Sequence, residues 1–68
     1  MRTGRVDEFD EHVGLGVVRG DNGVRYPFHC TAIADGSRTI LVGARVSFVV
    51  QPGPGGRWEA GGLVALSA

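Results

Sequence analysis

Three side chains in this chain of 68 residues could hold a metal ion, or act as a nucleophile with its base: His12, His29 and Cys30. A closed zinc site needs four such ligands, and a catalytic one needs three with an open position. His29 and Cys30 are adjacent, so on a strand they point to opposite faces and cannot close a site together. The same geometry argues against a thiolate activated by an imidazole, for which no third orienting group is apparent. No metal, no cofactor and no enzymatic activity is expected. Gly14 and Gly16 would suit a loop that cradles phosphate, but the helix and Lys-Ser/Thr pair of such a loop do not follow them. Within strands, glycines mark a bulge or sharp bend instead. Trp58, with Arg57 beside it, admits two readings. The indole can serve as a stacking platform with Arg57 as its phosphate or cation–π partner. It can also plug one end of a core thin in aromatics, which is the expected role.

These residues must be positioned by a small scaffold. A chain of this length forms one domain, residues 1–68, and buries only about 60% of the surface its unfolded form exposes. The apolar fraction of 43% argues against a disordered tail despite twelve glycines. Met1 to Asp10 contains two arginines and no apolar core, so no signal peptide is expected, and no apolar run is long enough to span a membrane. A single cysteine excludes an internal disulfide and fits a reducing cytoplasm. Basic and acidic residues balance at seven each, which gives no general support to a nucleic-acid binder. Asp7, Glu8, Asp10 and Glu11 form an acidic cluster that reads as a solvated strand edge.

Short runs rich in valine, isoleucine, threonine and aromatics, punctuated by glycine, indicate an all-β domain. Strands are expected over about Gly4–Phe9, Leu15–Arg19, Val24–Cys30, Arg45–Val50 and Trp58–Leu66. Gly20-Asp21-Asn22-Gly23 is a hairpin signal between the second and third. Pro27 cannot donate a ladder hydrogen bond, so it requires an edge or an irregularity. Thr31–Ala34 suits one short helical turn, and Gln51–Gly56 a loop. Arg45 to Val50 alternates, with Val46, Phe48 and Val50 on one face and Arg45, Ser47 and Val49 on the other. Five short strands, each with one core face, are best served by closure into a barrel, which removes exposed edges.

The residues resemble a known family. Gly4-Arg5-Val6 with Phe9, Gly14-Leu15-Gly16-Val17-Val18, Phe28-His29 with Ala32-Ile33, Gly36 to Ile40 and Gly43 to Phe48 follow one another as in a bacterial cold-shock domain, and Gly53 to Val64 resembles its last loop and strand. The resemblance covers essentially the whole chain. It implies a five-stranded antiparallel Greek-key barrel of the oligonucleotide-binding type. It also implies that one face binds single-stranded RNA or DNA by stacking aromatic rings on unpaired bases, each stack worth about 1–3 kcal/mol.

The chain departs from the family pattern on that face. Val13 stands in place of a lysine, Leu15, Val17, Pro27 and Cys30 in place of phenylalanines, Asp7 and Glu8 in place of a lysine and a tryptophan, and Ser37 in place of a further aromatic. Phe9 and His29 remain. Six lost stacks at about 1 kcal/mol each amount to roughly 10⁴ in affinity. The first functional expectation is therefore weak, sequence-tolerant binding of single strands. Phe9, His29 and Trp58 would stack bases, Arg19, Arg38 and Arg57 would meet phosphates, and Leu15 and Val17 would lie on the same face. The second is a protein-interaction or self-association module in which the aliphatic face around Leu15 and Val17 docks a partner or a second copy. Tyr26 and Phe28 share a face and are expected in the core.

Overall fold

The computed structural model describes residues 2–66. Strands β1 (Arg2–Asp10), β2 (Leu15–Gly20), β3 (Arg25–His29), β4 (Arg45–Pro52) and β5 (Trp58–Ala65) form one antiparallel sheet in the order β3-β2-β1-β4-β5. The first three strands make a meander, and β4 returns beside β1, which is Greek-key connectivity. The end strands β3 and β5 come into contact. Ile33 bridges Leu63 in parallel, and the Ala34 N–H donates to the Leu63 carbonyl at 2.8 Å. The sheet thus curls into a small barrel of the oligonucleotide-binding type.

Alternation along each strand sends one set of side chains inward. Val6, Val18, Tyr26, Phe28, Val46, Phe48, Ala60 and Leu63 are buried together with Ile33. The Tyr26 and Phe48 rings lie 5.6 Å apart and tilted at 54°, so Tyr26 and Phe28 are core residues, as their spacing indicated. β4 departs from the expected alternation. Val46, Ser47 and Phe48 are buried in succession, because a register shift against β5 between Ser47 and Val49 inserts an irregularity. Ser47 is the residue out of place, since Val49 is exposed and Val50 half-buried against the core, as the alternation requires. Such bulges add one residue to one strand and re-aim the side chains around it.

The 20–23 turn closes the β2–β3 hairpin. The Gly23 N–H donates to the Gly20 carbonyl at 2.9 Å, and the Gly20 N–H to the Val24 carbonyl at 2.8 Å. Gly23 alone in the turn adopts positive φ, at 83°, while the Asn22 side chain accepts from the Val24 N–H. Asp21 ties this turn to the rest of the barrel, accepting from the Thr3 hydroxyl and from Arg45. Pro27 sits in β3, whose only hydrogen-bonded neighbour among the described residues is β2, so the edge it requires is present.

The short turn begins one residue earlier than the sequence suggested. β3 ends at His29, and a 3₁₀ turn covers Cys30–Ala32. His29 caps it, accepting from the Thr31 N–H at 3.2 Å through Nδ1. Because Cys30 no longer belongs to a strand, it does not point to the face opposite His29; its Sγ lies 3.8 Å from the His29 Nδ1. Cys30 is half-buried and packs against the core.

Two measurements test this architecture. A Cβ at Gly16 would come within 2.6 Å of the Glu8 carbonyl oxygen and 2.7 Å of the Phe28 ring. Gly16→Ala is expected to cost about 1–3 kcal/mol through overpacking, read as a lower urea midpoint. The Thr3 hydroxyl and then Arg45 hold the Asp21 carboxyl below its ordinary value. A lowered folded value contributes stability that is present above the usual carboxylate range and lost as pH falls through it. Asp21→Asn is therefore expected to flatten the acid limb of a melting-temperature profile below about pH 4, with the alkaline side unchanged.

Candidate functional site

β1 is not continuous in register. It pairs Arg5 with Arg19 and Val6 with Val18, then resumes with Glu8 opposite Val17, so Asp7 is an extra residue. Beyond this bulge the alternation of β1 inverts. Phe9 pairs with Gly16 and faces the side of Phe28, while Glu8 and Asp10 turn outward opposite Val17 and Leu15. The Phe9 and Phe28 rings stack at 5.9 Å with 9° between their planes. Phe9 is half-buried and packs against the core, so much of its ring is already covered.

Three concavities lie along the outside of β3. The largest, about 890 Å³, is lined by Arg2, Val24, Arg25, Tyr26, Pro27, Val49, Val50, Arg57 and Trp58. It lies where β3 faces β4 and β5, with Tyr26 in its wall. Among the described residues no carboxylate lines it. The second, about 460 Å³, contains Phe9, Leu15, Val17, Pro27 and His29, together with Glu8, Asp10 and Glu59. The third, about 470 Å³, holds His29, Cys30, Thr31, Ser37 and Arg38. Pro27 is shared by the first two, and His29 by the last two. Seven of the eight residues singled out from the sequence thus fall along one continuous path, from Trp58 and Arg57 through Phe9, Leu15 and Val17 to His29 and Arg38. Arg19 lies off this path, further along the outer side of β2.

Trp58 does not plug the barrel. It is 61% exposed. It opens β5 opposite Pro52, at the end of the strand, and its indole lines the groove rather than the interior. The sequence did not single out Arg2 or Arg25 for this groove. Arg25 was accessible from the alternation that also exposes Pro27 and His29; Arg2 reaches the groove only through the tertiary path of β1 and had no local signal.

The two main concavities differ electrostatically. Arg2, Arg25 and Arg57 surround Trp58, whereas three carboxylates border Leu15 and Val17. Arg25 bridges them, with Nε 3.1 Å from Asp7 and a guanidinium nitrogen against Glu8. The acidic cluster is thus partly ion-paired rather than wholly solvated. At the far end, the Ser37 N–H and hydroxyl hold the Asp35 carboxyl below its usual range. Among the described residues, no group of three or more His, Cys, Asp and Glu is arranged to hold a metal ion, and no helix is long and apolar enough to cross a membrane.

No family model matches the chain. Two curated proteins do. Cold shock protein CspV of Vibrio cholerae serotype O1 is 41% identical over 66 residues, covering 94% of this chain and 93% of its own length. Cold shock-like protein CspA of Shewanella violacea matches at the same identity and coverage. The chain belongs to the cold-shock protein family. Family membership and the five-stranded barrel agree.

Trp58 is the only tryptophan, so intrinsic fluorescence reports its position directly. The folded protein is expected to emit as a water-exposed indole and to be quenched by acrylamide nearly as readily as in urea. A blue-shifted, protected indole would restore the plug.

Proposed function

We propose that this cold-shock chain binds single-stranded RNA or DNA weakly and with little sequence preference, along the path that runs over β3. The observation that carries the reading is the groove around Trp58. An exposed indole is a stacking platform for any base, and Arg2, Arg25 and Arg57 beside it suit the flanking phosphates. His29 and the uncovered part of Phe9 would receive further bases, and Arg38 a phosphate at the far end. Arg19 would contribute a phosphate contact from beside the path.

The centre of gravity differs from the family pattern described above. Leu15 and Val17 supply apolar contact but no π-face, and Glu8 and Asp10 directly opposite them repel a phosphate backbone. Affinity therefore concentrates at the Trp58 end, where aromatic and basic groups coincide.

A second reading, docking of a protein partner or a second copy, is favoured by one observation. Val13 and Leu15 are 55% and 53% exposed, and the hollow beside Leu15 is bordered by Glu8, Asp10 and Glu59. An apolar surface with an acidic rim suits a partner with basic residues around an apolar centre.

Titration of a labelled mixed-sequence single-stranded oligonucleotide, followed by anisotropy, separates the two. Binding in the micromolar range that weakens with salt is expected, with Trp58→Ala lowering affinity about tenfold, the loss of one stack. No binding at about 100 μM in low salt, together with a dimer by sedimentation that Leu15→Glu dissociates, would replace the first reading by the second.

A further inference from the structure

The pairing register assembles a feature that no single stretch of sequence displays. Arg25 pairs with Arg19 across β3 and β2, Arg19 with Arg5 across β2 and β1, and Arg5 with Arg45 across β1 and β4. Paired residues in an antiparallel ladder project to the same side. Four arginines therefore form one rung across four adjacent strands. All four are exposed, and with strands about 4.8 Å apart the rung spans roughly 15 Å.

Like charges placed directly opposite one another in a sheet are destabilising. The chain relieves this only at the ends. Arg25 is met by Asp7 and Glu8, and Arg45 by Asp21 at 3.4 Å. In the middle, Arg5 reaches only the Gly43 carbonyl at 3.4 Å, and Arg19 has no carboxylate partner among the described residues. The end pairs are solvent-exposed, with side chains between about a third and two-thirds accessible. Exposed pairs of this kind contribute little, so an incoming anion can exchange with them. The rung is thus a fixed line of guanidinium groups whose repulsion is incompletely neutralised by the chain itself. A polyanion extending across the strands answers that pattern, since arginine presents fork-like donors matched to phosphate oxygens.

One end of the rung indicates which polyanion. Arg25 terminates it and also lines the groove of Trp58, Arg2 and Arg57. A ligand that stacks a ring on Trp58 and carries regularly spaced phosphates can continue from the groove onto Arg25, Arg19, Arg5 and Arg45, exchanging with the Asp7, Glu8 and Asp21 carboxylates that hold the two end arginines. An acidic peptide offers the charge but not the stacking ring at each step.

We infer that the rung Arg25, Arg19, Arg5 and Arg45 is a phosphate track for single-stranded nucleic acid, leading from the Trp58 groove across the sheet toward β4. This rests on the single-strand reading above and adds a direction to it. One branch of the strand crosses β2, β1 and β4 at the basic end, beside the path along β3 toward the acidic end.

The test is the salt dependence of oligonucleotide binding in the full chain. Each phosphate contact to a single strand contributes about 0.7 to the slope of log K against log salt. Arg5→Gln with Arg19→Gln is expected to lower that slope by about 1.4 and to weaken binding at low salt at least tenfold. Arg5→Lys with Arg19→Lys keeps the slope, because charge is retained. Trp58→Ala weakens binding with the slope nearly unchanged. Cooperative thermal melts establish that each variant is folded, and Arg19→Gln alone, expected to lower the slope by about 0.7, serves if the pair is not. Wild-type binding with an unchanged slope in the Gln variants overturns the track and leaves the single-strand reading standing. A wild type that binds no oligonucleotide removes both. Poly-glutamate binding as tightly as the oligonucleotide, and lost in the Gln variants, would assign the rung to acidic peptides and overturn the inference.

Discussion

The bulge at Asp7 is the constraint on which the outer surface of this barrel depends. β1 is the middle strand of the sheet, paired on one side with β2 and on the other with β4. One extra residue in it inverts the alternation halfway along. Before the bulge, Arg5 faces outward between Arg19 and Arg45. After it, Glu8 and Asp10 face outward opposite Val17 and Leu15, and Phe9 turns toward Phe28. One strand thus presents a basic end and an acidic end on the same face. A chain with no net charge acquires opposed surfaces through this single irregularity.

Gly16 makes the inversion possible. Its missing side chain leaves room for the Phe28 ring and the Glu8 carbonyl, and Phe9 closes over the same place. The Gly14–Gly16 pair is therefore a packing device. Gly14 adopts positive φ at 72°, and a Cβ there would come within 2.9 Å of the Cys30 sulfur, while its N–H bonds back to the Asp10 carbonyl to close the β1–β2 turn.

Basic and aromatic groups coincide at the groove between β3 and the β4–β5 pair. Among the described residues nine apolar side chains form the buried core of this small barrel, and the indole at the first position of β5 is not one of them. Exposed at the groove, Trp58 meets arginines from β1 and β3 that are far from it in sequence. The cold-shock barrel is retained, while the most favourable ground for an anionic, stacking ligand lies beside the face where the family pattern would put it.

The sequence by itself determined the strand runs, the hairpin at residues 20–23, the core membership of Tyr26, Phe28, Val46 and Phe48, and the family resemblance. These follow from short-range periodicity and from glycine and turn chemistry, which act within a few residues. It also indicated that Leu15 and Val17 had left the stacking face aliphatic. Only the tertiary structure decided the burial of Ser47, the end of β3 at His29, the exposure of Trp58 and the half-burial of Phe9. It alone brought together the four-arginine rung. The physical reason is register. Where a bulge falls, and which residue it sets opposite which, depends on how neighbouring strands accommodate each other's side chains, and a shift of one residue turns every following side chain to the other face. Nothing within a single strand encodes its partner's phase.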